Sequence, residues 1–282
     1  MKVYNPLSIA ELTACLPEIK PGAIITGGCT DLSVRFLKAP KPAQLLNINL
    51  VKELKEISFQ GGFLNIGAAA TLTELAGYPA PEGYAALRQA ASGVGSKQIR
   101  NAATVGGNVV NASPAGDLLP CLFMLGASVE YMKPDGSILS RPIENIVTGA
   151  GKTSLEYNEV LTAVKIPAPP ENLRSGFLKL GFRKNVTIAR INIAMSVTAT
   201  DNTIDEIRFF LGAVAPVPVR VREAENILEE NRWDFTACEK LTEHLSGLLG
   251  RTVPVEFDRD YKVFAVRGAV YDILRMFPYW TE

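Results

Sequence analysis

Thr104-Val105-Gly106-Gly107-Asn108-Val109-Val110-Asn111-Ala112-Ser113-Pro114-Ala115-Gly116-Asp117 is the stretch on which the fold reading turns. Its glycine pair stands between an apolar run and a cluster of Asn, Ser, Pro and Asp, so side-chain bulk disappears where polar groups gather. A loop of that kind lets main-chain N–H groups approach a ligand closely. An earlier segment, Ala23-Ile24-Ile25-Thr26-Gly27-Gly28-Cys29-Thr30-Asp31-Leu32, repeats the design: a β-like run, two glycines, a hydroxyl and a carboxylate, then a helical pattern. Gly-Gly followed by Asn or Asp is also ordinary turn chemistry. Two such segments in one chain, each with hydroxyl or amide side chains that a hairpin does not need, favour loops that hold two ends, or two faces, of one large anionic cofactor.

The totals bound the rest. With 282 residues, 47% hydrophobic and 21% charged, the chain can bury substantial cores, and its length suggests about two domains. Lys plus Arg equals Asp plus Glu at 29 each, and neither sign forms a long run, so there is no electrostatic case for nucleic acid or an anionic membrane surface. Cys15, Cys29, Cys121 and Cys238 form no C-x-x-C pair, so neither a zinc nor an iron–sulfur site is encoded in the usual spacing. Reduced thiols in a cytoplasm are the simplest expectation. Met1 to Pro6 opens no signal-peptide core, and nowhere do about 18 apolar residues run together, so membrane insertion is not expected.

Taken in order, Ser8 opens an amphipathic helix with Ile9, Leu12 and Leu16 on one face, ended by Pro17. A β-like run to Ile25, the first glycine loop, a short helix through Leu32 and Phe36, and strands at Gln44–Ile48 and Leu64–Ala68 follow. A strand-to-helix loop of this kind presents unpaired N–H groups to phosphate. Helical pieces begin at Thr71 and Tyr84. Gly93-Val94-Gly95 starts like a dinucleotide fingerprint, but Gln98 stands where the third glycine belongs, which rejects a Rossmann assignment. Gly149-Ala150-Gly151-Lys152-Thr153 resembles the end of a P-loop, yet Ile146 occupies the place of its first glycine.

Beyond the second glycine segment, Leu118–Leu125 reads as a short buried helix begun near Asp117. Ser128–Tyr131 and the turn Pro134-Asp135-Gly136 suggest a hairpin, and Glu159–Ile166 another strand. Pro167 to Asn172 is the best linker. The last third holds strands at Phe177–Phe182, Ile191–Ala199 and Ile204–Val214, with a turn at Asp201-Asn202. Helices follow at about Arg220–Glu230, Phe235–Gly250 and Ala265–Met276. A three-stranded antiparallel sheet covered by helices is a common α+β solution.

Thr26 to Leu32, Ala103 to Asp117, Phe177-Leu178-Lys179, and Phe182-Arg183 through Ile193-Ala194 together resemble the FAD-binding medium subunit of molybdenum hydroxylases, the xanthine dehydrogenase and carbon monoxide dehydrogenase family. The resemblance implies an α+β fold of the vanillyl-alcohol-oxidase type. FAD-binding subdomains would span 1–55 and 56–168, and a C-terminal domain with a three-stranded antiparallel sheet would span 173–282. It places the FAD diphosphate on the main-chain amides of Thr26, Gly27, Gly28, Cys29, Thr30, Asp31 and Leu32. Charge-assisted contacts of that kind contribute roughly 1.5–3 kcal/mol each before ordering costs, so no lysine has to sit on the phosphate. Thr104, Gly107, Asn108, Asn111 and Asp117 are implied contacts of the diphosphate, ribityl or ribose, with Val94 and Gly95 nearby. Leu161 matches an apolar contact, with plain strand core as the alternative. Lys179 matches a lysine of the flavin region, with a solvated strand lysine as the alternative.

The family's cysteine-rich insertion for an extra iron–sulfur cluster is missing, and Cys29 reads as an apolar turn contact. His244 is far in sequence from both glycine segments and is expected at a surface or cap, so FAD is expected to be noncovalent. By the same resemblance the partners are a molybdenum-cofactor large subunit and a [2Fe–2S] small subunit, and the acceptor is NAD⁺ or another oxidant. No catalytic side chain and no metal ligand is expected on this chain, because the flavin carries the chemistry. A self-contained flavin oxidase or reductase of the same fold is the rival, and a nonenzymatic nucleotide-binding module is a third possibility.

Overall fold

The computed structural model describes residues 1–37, 40–183, 186–201 and 203–281. The chain forms two compact units. Unit one comprises residues 1–78, 96–112 and 126–168, and unit two comprises 79–95, 113–125 and 169–282.

Unit one holds two main sheets. The first is parallel, in the order β1 (Lys2–Tyr4), β3 (Gln44–Asn47), β2 (Ile24–Thr26), with α1 (Ile9–Cys15) and α2 (Leu32–Arg35) in the connections. Ser8 caps α1 by accepting from the Glu11 amide, the role its position predicts. The second sheet runs β4 (Ile57–Gln60), β5 (Phe63–Gly67), β10 (Val160–Pro167), β6 (Ser128–Met132), β7 (Ile138–Pro142), antiparallel throughout. Gly136, at φ 82°, turns the β6–β7 hairpin where Pro134-Asp135-Gly136 predicts it. Thr71 and Glu74 close a capping box on α3 (Leu72–Gly77). α5 (Lys97–Ala102) leads to α6 (Val105–Asn111), and α8 (Ile143–Ile146) to a hairpin of β8 (Val147–Gly149) and β9 (Lys152–Thr153). The P-loop look-alike is therefore a turn with Gly151 at φ 65°, with no helix behind it.

One expectation is corrected here. Thr104 to Asn111 is a helix, α6, whose glycines lie inside it and whose N-cap is Thr104 accepting from the Gly107 amide at 3.1 Å. Tertiary packing overrides the loop-like composition. A Cβ on Gly106 would lie 2.8 Å from both Cβ and the carbonyl O of Ala68, whose oxygen accepts from the Gly106 amide. Glycine is tolerated in this helix because the backbone must approach β5's end that closely.

Unit two is built on the antiparallel sheet β11 (Leu173–Leu180), β12 (Ile191–Thr200), β13 (Thr203–Gly212), β14 (Val219–Arg220). The three expected strands are joined by a two-residue fourth at the edge, too short to leave a periodic signal. Ile191, Ile193, Met195 and Val197 face a core with Leu241, Leu245 and Leu249 of α10 (Phe235–Thr252) and Val266, Val270 and Ile273 of α11 (Arg259–Leu274). α9 (Arg222–Glu230) adds Ala224 and Leu228. The opposite face is covered by α4 (Ala85–Gly93) and α7 (Leu118–Met124), two helices from the middle of the chain. The Ala86 amide donates to Ser175 Oγ at 3.0 Å and Gln89 Oε1 accepts from the Phe177 amide at 2.8 Å, pinning α4 to β11. α11 begins six residues earlier than expected, at Arg259. The expected turn residue Asp201 has φ 49°, while Asn202 lies outside the described residues.

Gly106→Ala sets two effects against each other. Helix propensity gains about 1 kcal/mol, whereas overpacking against the Ala68 backbone costs about 1–3 kcal/mol. The substitution should lower stability by about 1 kcal/mol net, read as a lower urea midpoint. An unchanged or raised midpoint would show that β5's end yields freely.

Candidate functional site

In unit one, β2 delivers Thr26 to the sheet's end, where Thr26 pairs with Asn47. From there the chain turns through Gly27 to Asp31 into α2. Among the described residues, the main-chain N–H groups of Gly28, Cys29, Thr30 and Asp31 donate to no protein acceptor. Gly28, Cys29 and Thr30 are partly buried and Asp31 is exposed, so these amides are left for solvent or for a bound acceptor. The glycines press this turn onto the entry of α6. A Cβ on Gly27 would sit 2.6 Å from Thr104 Oγ1, and one on Gly28 would sit 1.7 Å from the carbonyl O of Ala102. Cys29 takes a positive φ of 57°, and its Sγ lies 3.2 Å from Thr26 Oγ1. Its contact is thus polar, which corrects the apolar turn contact expected of it.

Arg35 ties the same parts together from the other side. Its Nε meets Asp31 Oδ2 at 2.6 Å and its Nη2 donates to Asn111 Oδ1 at 2.8 Å. A cleft of about 280 Å³ opens along the turn, lined among others by Thr26, Gly27, Gly107, Val110, Tyr157 and Leu161. Leu161 is 4% exposed and does two things at once, filling strand core and walling the cleft. Asn108 Oδ1 is buried with no hydrogen-bond partner among the described residues. Free amides, a glycine-lined close approach, an apolar wall and an idle amide oxygen fit a nucleotide with a diphosphate. Phosphate oxygens would accept from the amides, and a ribose or ribityl hydroxyl would donate to Asn108.

In unit two, Lys179 Nζ lies 2.6 Å from Asp117 Oδ2 and 3.2 Å from the carbonyl O of Gly93, the residue before Val94 and Gly95. Asn192 Nδ2 donates to Asp117 Oδ1 at 3.3 Å. Asp117 is 3% exposed and the Lys179 side chain 13%. The solvated alternative for Lys179 is therefore ruled out. Asp117 stands at the N-cap of α7 yet caps nothing, because its carboxylate is engaged by the sheet. Burial pushes the Asp117 carboxyl above its usual value, while the Lys179 charge and the Lys179 and Asn192 hydrogen bonds pull it back.

Within unit one the structure thus brings together Thr26 to Leu32, Thr104, Gly107, Asn111 and Leu161. Within unit two it brings together the Gly93–Gly95 segment, Asp117 and Lys179. Two residues escaped the sequence reading. Arg35 was findable from the Asp31–Arg35 spacing, one helical turn apart. Asn192 gave only the weak signal of an amide between two isoleucines. His244 lies mid-helix in α10, half-buried, and caps nothing.

A family profile described as FAD binding domain in molybdopterin dehydrogenase matches residues 1–169, and one described as CO dehydrogenase flavoprotein C-terminal domain matches 177–276. The chain is 30% identical over 243 residues to the xanthine dehydrogenase FAD-binding subunit of Escherichia coli O157:H7, covering 85% of this chain and 83% of that one. It is 32% identical over 233 residues to the nicotinate dehydrogenase FAD-subunit of Eubacterium barkeri, covering 80% and 78%. Among solved structures, a chain of carbon monoxide dehydrogenase from Hydrogenophaga pseudoflava superposes with a TM-score of 0.84 at 26% identity, covering 98% of this chain and 96% of that one.

Lys179→Met should destabilise the protein by about 3 kcal/mol near neutral pH, because it strands a buried carboxylate. A carboxyl whose folded value is raised contributes stability that is complete below its unfolded value, about 3.9, and is lost as pH rises through the folded value. The Lys179→Met penalty should therefore shrink as the pH is lowered toward about 4, measured by urea unfolding across pH. A penalty independent of pH would place the Lys179 effect elsewhere.

Proposed function

Since the chain belongs to the family of FAD-binding domains of molybdopterin dehydrogenases, we propose that it works as the flavin subunit of a molybdenum hydroxylase, passing electrons from a [2Fe–2S] subunit to NAD⁺ or another acceptor. The observation that carries the reading is the row of amides at Gly28, Cys29, Thr30 and Asp31, without protein partners among the described residues and packed through glycine onto the Ala102–Ala103 backbone and the Thr104 side chain. The large molybdenum-cofactor subunit would oxidise the organic substrate. Bound FAD supplies the exchange between single electrons and pairs.

The chain's own residues bind and orient that group. Thr26 to Leu32 would receive the diphosphate on main-chain amides. Thr104, Gly107, Asn108 and Asn111 would hold its sugar or diphosphate oxygens, and Leu161 would exclude water from the apolar side of the cleft. Val94, Gly95, Asp117 and Lys179 are proposed for the flavin end on the family resemblance, with Lys179 a fixed positive charge. Electrostatics of this kind tune a flavin without any nucleophile or general base. FAD would be held without a covalent bond. The reading includes subdomains at 1–55 and 56–168 and a C-terminal domain at 173–282. It is supported by the first sheet coming from segments before residue 55 and the second from segments between 57 and 167. No helix among the described residues is long and apolar enough to cross a membrane, in keeping with a cytoplasmic complex.

Three measurements test this. FAD added to cofactor-free protein should bind, and acid precipitation should release all the yellow colour to the supernatant. Because main-chain amides rather than exposed cations receive the phosphates, raising salt from about 0.05 to 0.5 M should weaken FAD binding less than about threefold. Gly28→Ala should abolish FAD binding, since its Cβ cannot coexist with the Ala102 carbonyl. Flavin bleaching by NADH would support NAD⁺ as acceptor. Bleaching by an organic substrate without any partner subunit would overturn the electron-transfer role.

A further inference from the structure

Asn192 is assigned no contact in the nucleotide reading, yet it is 0% exposed and lies near the start of β12, an interior strand of unit two's sheet. In register it stands opposite Lys179 on β11 and Gly212 on β13. Its Nδ2 holds Asp117 Oδ1 at 3.3 Å while Lys179 Nζ holds Oδ2 at 2.6 Å, so each carboxylate oxygen has a donor from a different strand. Gly212 makes room for this amide, because a Cβ there would lie 2.0 Å from Asn192 Oδ1. That oxygen has no hydrogen-bond partner among the described residues. An idle buried carbonyl is unfavourable. Turning the amide over would not help, because it would set Oδ1 against an ionised carboxylate and leave the NH₂ idle instead. The arrangement is consistent only with an amide held for its donor.

We propose that Asn192 is a positioning residue for bound FAD: by donating to Asp117 it fixes the carboxylate that anchors Lys179, and through Lys179 the Gly93–Gly95 segment. The inference rests on the reading that Lys179 and this segment serve the flavin end. The groups facing the Asp117 carboxyl are Lys179 from β11, Asn192 from β12 and Cys121 from α7. Burial pushes the Cys121 thiol well above its usual value and keeps it neutral. Among the described residues Lys179 is then the charged partner, and Asn192 decides where the carboxylate meets it.

The test uses the full chain with and without FAD. In the parent protein, the Asn192 side-chain amide proton resonance should move as Asp117 titrates, and that movement should vanish in Asp117→Asn. A resonance indifferent to pH overturns the proposal, and this measurement needs no substitution at Asn192. Asn192→Asp replaces the donor with a second carboxyl in the same space, so the two carboxyls share one proton when the pH is low enough. FAD affinity of this variant should be about tenfold weaker than the parent's at about pH 8 and should recover as the pH falls toward about 5, where the shared proton restores a donor. Asn192→Leu, which can offer no donor at any pH, should bind FAD about tenfold weaker throughout. If Asn192→Asp binds FAD like the parent at every pH, or is weakened equally at every pH, the positioning role is wrong. A parent that binds no FAD overturns the proposed function as well, and is thereby distinguished from failure of the role alone.

Discussion

A backbone-to-backbone approach governs this molecule: the turn at Gly27 and Gly28 lies so close to the Ala102 carbonyl and to Thr104 that no side chain fits between them. Everything in unit one's candidate site follows from that contact. It fixes the turn while leaving the amides of Gly28 to Asp31 unspent. It brings Asp31 within reach of Arg35, whose fork also takes Asn111. Gly106 repeats the device against Ala68. Both glycine pairs are thus explained by packing as much as by ligand access, and the two requirements are compatible. A turn rigidified by close packing holds its donors ready and loses less freedom when an anion arrives.

Unit two solves a different problem. β12 is buried on both faces from Ile191 to Val197, so a strand bearing Asn192 and Ser196 must satisfy them inside the protein. The apolar face is covered by α10 and α11, whose leucines and valines recur at helical spacing. The other face is covered by the alanine-rich α4 and by α7, and there the polar groups find partners: Ser175 meets α4, and Asn192 meets Asp117 at the start of α7. A buried ion pair is costly to assemble and more costly to break. Its presence at Asp117 and Lys179, where apolar residues would pack more simply, suits a chain that needs one positive charge in a fixed place.

Most regular elements were legible in the sequence because their signals are local. Ser8 and Thr71 cap helices, Pro134-Asp135-Gly136 turns a hairpin, and the alternation of Ile191 to Val197 marks a strand. β1, β4, α5, α8, the β8–β9 pair and β14 were not found. β4 has its apolar residues half exposed at the sheet edge, and β14 is two residues long. The helix α6 was misread as a loop because composition cannot reveal that a glycine pair sits inside a helix pressed against a neighbouring strand end.

By itself, then, the sequence determined the order of the longer elements, the two glycine segments and the family they resemble, since short-range pattern and turn chemistry suffice for these. Only the tertiary structure decided that α4 and α7 leave the neighbouring segments of their own chain to cover the C-terminal sheet. It also decided that Asp117 spends both carboxylate oxygens on Lys179 and Asn192, and that Arg35 bridges Asp31 and Asn111. The physical reason is the same in each case. Burial on both sides of a strand and the pairing of charges more than sixty residues apart depend on which surfaces meet, and no window of sequence contains both partners.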